Sequence, residues 1–566
     1  MGRPEELLEL GGGKVAGEQE ALDLELRPRE GHRVDEMREA AADRVHDQQD
    51  RERDEVSEIL PRLAQHQSRY QQHEQIAIGR QPEAQLPDGE PERNGERRDR
   101  RREAHARQVW ARWAPAALGL ALLGIAFRIP FLGAPLTADE GGYAEIARLW
   151  ARGHGLYGSN WVDRPQGLLV VFRVLLSAGI TTSVELRLFA AALAAVLILL
   201  AVSIGVLTGG TLSGLVAGAL TATAGASPFI EGFTLSGELI ASVLAAAAVL
   251  AFVLYQPSER LAWLVVAGLA AGSAWMVKQS FFDAAVAIAV CLWGAWRRAA
   301  LFAFAVLVPV LAGIVGSGAP RAWYHAVIGY GLHASGGQSG WQRVSHLGGS
   351  LVPASKALLA VAILAVLGWP RAPKLLRVWL VAAALGVLVG GNLRPHYYLQ
   401  LVAPLALVAA FVRAAPRVRV ALAAAAAAVA VLFAVPLWNE TDAAQARTLW
   451  PADRHLQSDG TVARYLESHS TPSQRIFVLW AAADLYYLAD RAPMSRYLWL
   501  RNVQTIHGAL AGIRRALAAG GAELVVVEQP PALADPSGRT AAVLRRRYRL
   551  VANIHNVAVY RLRGSP

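Results

Sequence analysis

The chain has 566 residues, of which 54% are hydrophobic and only 18% are charged, too little charge for a soluble globular protein of this length. The net charge of +11 does not point to nucleic acid, because many arginines lie between apolar runs, where they report membrane orientation. The one cysteine, Cys291, lies inside an apolar run, so neither an intrachain disulfide nor a multi-cysteine metal site is expected.

In chain order, residues 1–112 are crowded with Arg, Glu, Asp and Gln and have almost no apolar periodicity. Too little apolar surface offsets chain entropy there. The expectation is a disordered or loosely helical cytoplasmic tail, or an extension from a start codon set too far upstream, the second being the plainer account. No cleavable signal peptide is expected at Met1.

Apolar segments follow at about 113–133, 166–181, 186–207, 211–229, 237–255, 261–277, 281–296, 299–317, 353–369, 375–391, 396–412 and 418–438. A spanning helix needs roughly 20 residues. The fold expected is therefore a polytopic α-helical membrane protein with about 11–13 transmembrane helices over 113–438.

The basic run before Trp113 places that end in the cytoplasm. Arg297-Arg298, then Arg371, Lys374 and Arg377, then Arg413, Arg417 and Arg419 mark further cytoplasmic loops two crossings apart. This orientation puts 137–166, 318–352, 392–395 and the C-terminal part outside. Crossing at every segment would return the C-terminus to the cytoplasm. Hence one segment between 166 and 229 does not cross, or one is missed; 166–181, short and holding Arg173, is the suspect.

Residues 439–566 alternate strand-like and helix-like stretches, reading as a small extracytoplasmic α/β domain. Strands are expected at 475–480, 524–528 and 557–561, and an amphipathic helix at 506–519, stopped by Gly520-Gly521.

The first outer loop, 134–166, is polar and acid-bearing. Asp139 and Glu140 could act as a general base, or together hold a divalent cation such as Mg or Mn that neutralises a phosphate. They could equally cap a helix over 140–152 from Thr137 or Asp139. Tyr143, Ile146, Ala147 and Trp150 share a helical spacing, which suggests a helix lying on the membrane surface. Asp163-Arg164-Pro165 leads into the next segment, with Arg164 suited to a phosphate or to interfacial anchoring.

Glu231 and Glu238 flank a short polar break, and an acid at membrane depth is costly and usually functional. Lys278 can meet a phosphate or snorkel to the interface. Arg394, His396, Tyr397 and Tyr398 suit a phosphate and a sugar, or an aromatic belt. Asp139, Asp163, Arg164, Glu238, Lys278, Arg394 and His396 all fall on the outer face in this topology, as expected of a site for an anionic amphiphilic donor and a polar acceptor.

On these residues the chain resembles the polytopic GT-C glycosyltransferases of the protein-mannosyltransferase type, which include bacterial lipid A aminoarabinose transferases. The resemblance rests on Asp139-Glu140 with Tyr143-Ala-Glu-Ile-Ala147, on Asp163-Arg164-Pro165, on the segments of Lys278 and His396-Tyr397-Tyr398, and on 484–497, and covers about 113–566. It implies transfer of a sugar from a polyprenyl-phosphate donor to an extracytoplasmic acceptor, with inversion, by a multi-pass protein of the plasma (inner) membrane. It makes Asp139 the catalytic base or metal-binding acid, and Arg164 and Lys278 the phosphate contacts. Gln166 departs from the family's second proline, and Glu238 stands where many members have Asp. The rivals are a transporter or flippase of lipid-linked glycans, a glycan polymerase or ligase using the 318–352 loop with His325, His333, Arg343 and His346, and a non-catalytic scaffold. A flippase predicts internal repeats, which the sequence does not display.

Overall fold

The computed structural model describes residues 113–336, 340–389, 393–480 and 482–565. The tail expected over 1–112 lies outside the described residues, as does the side chain of Arg343.

The apolar runs form helices, because only intrahelical pairing satisfies the backbone in lipid. They are α1 (Trp113–Phe131), α3 (Gln166–Ser177), α4 (Ser183–Ala224), α5 (Gly237–Ser258), α6 (Leu261–Val277), α7 (Asp283–Cys291) and α8 (Trp296–Gly316). After short helices over 320–336 come α11 (Gly340–Gly368), α12 (Lys374–Val389), α13 (Leu399–Ala409) and α14 (Pro416–Trp438). The intervening helices are α2 (Ala138–Ala151), α9 (Pro320–Tyr324) and α10 (Tyr330–Gly336).

Among the described residues, six helices are long and apolar enough to cross a membrane. Their exposed residues, such as Leu122, Val315, Val366 and Leu432, are the large apolar ones that lipid would cover. Two expected segments, 186–207 and 211–229, join into α4, which breaks at Gly210, where φ is 81° and a side chain would be strained. The suspect segment is α3, 12 residues long, which at 1.5 Å per residue falls well short of the hydrocarbon thickness. The segment expected over 281–296 holds only the 9-residue α7.

The outer loop expected over 318–352 is instead largely helical, because α11 begins at Gly340. One basic mark of orientation is also a packing group: Arg419 donates to Ser213 Oγ at 2.8 Å and to the carbonyl of Ala410.

The C-terminal part adds α15 (Asp442–Leu449), α16 (Asp459–Ser468), β1 (Ile476–Leu479), α17 (Asp484–Leu488), α18 (Leu500–Thr505), α19 (Ala509–Ala518), β2 (Leu524–Val527), α20 (Arg539–Arg547), β3 (Tyr548–Ile554) and β4 (Val557–Leu562). The sheet order is β1-β2-β4-β3, with β1 and β2 parallel and the other pairs antiparallel. The expected strands and helix are there. The edge strand β3 was not foreseen, because its exposed arginine and asparagine break the apolar alternation.

The apolar face of α2, expected to meet a membrane surface, packs inside the protein. It is buried between α3 on one side and α17 on the other. Gly141 and Gly142 explain how: a Cβ on Gly141 would overlap the backbone of Asp484, and one on Gly142 would meet Trp499 and Ala483. Arg148 ties the same joint, pairing with Glu145 and Asp490 and donating to the Tyr486 carbonyl at 3.0 Å.

Candidate functional site

A small pocket opens where the starts of α2 and α5 and the end of α6 come together. Asp139, Glu140, Arg164, Glu238, Lys278 and His396 line it, with Thr137, Tyr143, Glu231 and Ser236. Six of the residues singled out from the sequence thus meet in one place. Asp163, Arg394 and Tyr397 are not among the lining residues, although two of them touch residues that are.

Asp139 and Glu140 are adjacent and do different things. Thr137 caps α2, and Glu140 completes a capping box. Glu140 Oε2 accepts from Thr137 N at 3.2 Å, Thr137 Oγ1 at 3.1 Å and Arg187 Nη2 at 2.9 Å, while Oε1 accepts from Leu235 N at 2.8 Å. Its carboxylate is therefore fully used and buried. Asp139, one residue earlier in the same first turn, is partly exposed to the pocket, and among the described residues its carboxylate makes no hydrogen bond or ion pair.

This division corrects the expectation of a paired metal site. A cation at Asp139–Glu140 would have to displace the Arg187 guanidinium, so the pair does not fit one. Among the described residues, no three His, Cys, Asp or Glu side chains are grouped to hold a metal ion.

The cationic side of the pocket is also divided. Arg164 pairs with Asp163 at 2.8 Å and keeps about a fifth of its side chain exposed. Lys278 is buried in an ion pair with Glu238, and its Nζ sits 3.7 Å from the centre of the Tyr397 ring. His396 stands between two acids, 3.2 Å from Glu231 and 3.6 Å from Glu238. Burial pushes the Glu231 carboxyl up, but His396, Trp450 and Arg394 outweigh that and hold it below the ordinary carboxylate range.

Residues away from the pocket fix its walls. Arg128, at the end of α1, donates to the carbonyls of Gly124, Gly225 and Gly232 at 2.6–2.8 Å and so shapes the 225–232 turn that carries Glu231. Gln166, where a proline was expected, has a different job. It donates to the Gly313 carbonyl and accepts from Trp323 at 2.9 Å and Tyr157 at 3.0 Å, locking the start of α3.

Sequence reasoning did not select Arg187, Arg128 or Tyr143 for the site. Arg187 had one available signal: a lone arginine in an apolar run needs a buried partner. Glu231 was noticed beside Glu238 but not chosen, because its left-handed backbone (φ 54°), which turns it inward, is invisible in sequence.

No protein-family model and no curated protein matches the chain. Solved structures do. The chain is similar to ArnT from Cupriavidus metallidurans bound to undecaprenyl phosphate, at 14% identity and a TM-score of 0.56, covering 79% of this chain and 97% of that one. It is similar to the same protein in the apo state at 14% identity and a TM-score of 0.57, covering 80% and 98%. At that identity the likeness is one of fold alone.

Proposed function

We propose that the chain is a membrane glycosyltransferase that moves a sugar from a polyprenyl-phosphate donor to an acceptor on the extracytoplasmic face, with inversion. The observation that carries this reading is the pocket itself. One unengaged carboxylate, Asp139, faces an accessible guanidinium, Arg164, and a buried Lys278–Glu238 pair at the mouth of an apolar helical body. The fold is shared with a protein crystallised with undecaprenyl phosphate, which supports a lipid-phosphate leaving group here.

In the proposed reaction an acceptor hydroxyl attacks the anomeric carbon. Its proton passes to the Asp139 carboxylate as general base. The bond between the anomeric carbon and the phosphate oxygen breaks, and its electron pair stays on the phosphate. The phosphate thus gains negative charge as it leaves, and Arg164, paired with Asp163 but still partly exposed to the pocket, is the cation best placed to meet that charge. Lys278 acts beside it while sharing its own charge with Glu238. Glu140 is a positioning residue, holding the first turn of α2 through Arg187 and Leu235.

The test is transfer from a panel of radiolabelled polyprenyl-phosphate sugars in membranes, with wild type beside Asp139→Asn at equal expression. Transfer by wild type and its loss in the variant supports the reading and identifies the donor. Equal transfer by both removes Asp139 from the base role. No transfer from any donor overturns the reading.

A further inference from the structure

Where α17 of the C-terminal part meets α2 lies a second group of acids that the proposed reaction does not use. Asp459 opens α16, Asp484 opens α17 and Glu528 follows β2. Asp459 is 1% exposed, Asp484 0%, and the Glu528 side chain 0%. All six carboxylate oxygens are enclosed and none has a well-aligned hydrogen-bond donor; the nearest are two main-chain amides, that of Asp484 beside its own carboxyl and that of Ala482 beside Glu528.

Ionised carboxylates do not stand unpartnered in a closed space, since each costs several kcal/mol to bury. The neighbouring charges do not offset this. His455 Nδ1 lies 3.7 Å from Glu528 Oε2, but both ring nitrogens are buried without a hydrogen bond, and burial lowers the pKa of the ring. The other titratable groups acting on the cluster are acids or a phenol: Asp453 on the preceding turn, Glu140 on α2 and Tyr486 on α17. Arg394 acts on Asp453, and Arg187 is taken up by Glu140.

The geometry contains its own remedy. The Asp459 carboxyl is within hydrogen-bonding reach of both Asp484 and Glu528. Two carboxyls form a hydrogen bond only when one of them carries a proton. A metal ion would be the other remedy, but these side chains are not grouped around a point that could hold one.

We propose that Asp459, Asp484 and Glu528 form a proton-sharing cluster that holds the C-terminal domain against α2, and that ionisation of the cluster loosens this contact. Asp484 is the link, because its backbone rests directly on Gly141, two residues from Asp139. The three acids are positioning residues for α2. The proposal rests on the transferase reading only for its effect on sugar transfer; the proton sharing and the contact do not depend on it.

Burial pushes all three carboxyls up, Asp484 to about 7. The folded state therefore holds protons that the unfolded state releases, and the contact weakens as pH rises through neutrality.

The experiment uses the full chain in nanodiscs between pH 5 and pH 9, read by deuterium uptake over residues 138–151 and by apparent Tm. Glu145→Gln, which removes the titration of Glu145 on α2, is the parent, compared with the same chain carrying Asp459→Asn or Glu528→Gln. The expected result is that uptake rises and Tm falls above neutral pH in the parent, and that both further variants lose this alkaline limb. Flat pH curves for the parent overturn the proposal, as does an alkaline limb that survives in both further variants. A rise in Tm on adding Ca or Mg, lost in both variants, also overturns it and makes the cluster a cation site. Uptake and Tm need no substrate, so a failure of sugar transfer is distinguishable from a failure of the cluster.

Discussion

Arg187 on α4 reaches Glu140 on α2 at 2.9 Å, with the two side chains 1% and 2% exposed. They are 47 residues apart in sequence. The same guanidinium donates to the Pro135 carbonyl at 3.0 Å and lies over the Phe233 ring at 4.6 Å. One side chain thus joins α2, the turn before it and the turn before α5. Arg187→Met leaves a buried carboxylate without its counterion, at a cost of about 3–5 kcal/mol. Glu140→Gln keeps an acceptor for Leu235 and is expected to be milder than Glu140→Ala. Apparent Tm of the purified chain checks both, and a double-mutant cycle should return a coupling energy well above zero.

Removing the base should leave the fold alone. Asp139 is partly exposed and makes no side-chain hydrogen bond among the described residues, so Asp139→Asn is expected to change Tm little while lowering transfer by roughly 10²–10⁴-fold. A large fall in Tm would mean that Asp139 holds structure.

Arg164 should act on the rate more than on donor binding. The donor phosphate carries one negative charge as a diester and gains another on leaving, so the guanidinium is worth most in the transition state. Arg164→Ala is expected to lower kcat by roughly 10–100-fold, from about 1.5–3 kcal/mol for a hydrogen bond to a charged group, with a smaller rise in KM. Initial rates over a donor concentration series check the split. A rise in KM at constant kcat would assign Arg164 to uniform binding instead.

Gly141→Ala should separate the C-terminal domain from α2. Its Cβ would overlap Asp484's backbone, which cannot swing aside as a flexible side chain does. A cost of about 1–3 kcal/mol is expected, with reduced transfer. Limited proteolysis should cut the 439–475 region faster in the variant than in wild type.

Stability should fall from pH 5 to pH 8. Burial raises Glu145 to about 7, and Asp484 to the same value. Between their ordinary carboxyl values and 7 the folded chain binds more protons than the unfolded one, so stability declines as pH rises, by up to about 1.4 kcal/mol per pH unit for each group. The stability these protons confer is complete below the ordinary carboxyl range and lost above 7. Glu145→Gln should flatten its share of the slope in a Tm series.

What the sequence disclosed were the features that cost most to hide. Lys278 and Glu238 stood out because charge is rare inside apolar runs, and each proved to be the other's partner. Asp139, Arg164 and His396 were legible through their shared side of the chain, and they meet in one pocket. What stayed hidden depended on long-range contact. Locally, only the capping-box spacing from Thr137 separates Glu140 from Asp139; Arg187 and Leu235, distant in sequence, complete the fastening of the one carboxylate and leave the other free. The Glu-Gly-Gly run read as the start of a surface helix, whereas it is the smooth face that admits Asp484 and Trp499. Nothing local marks Asp459, Asp484 and Glu528 as buried, because their burial comes from long-range packing, such as that of α17 against α2.

The pocket is built where helices begin. α2 starts at Ala138, α3 at Gln166 and α5 at Gly237, and Thr137, Arg164 and Ser236 stand just ahead of these starts. The first turn of a helix carries unpaired amide hydrogens and the positive end of its dipole. Several such ends facing one small space give it a fixed electropositive bias that belongs to the main chain and does not titrate. Replacing the side-chain cations one at a time is therefore expected to leave part of any attraction for an anion in place, and residual transfer in such variants would trace to the architecture itself.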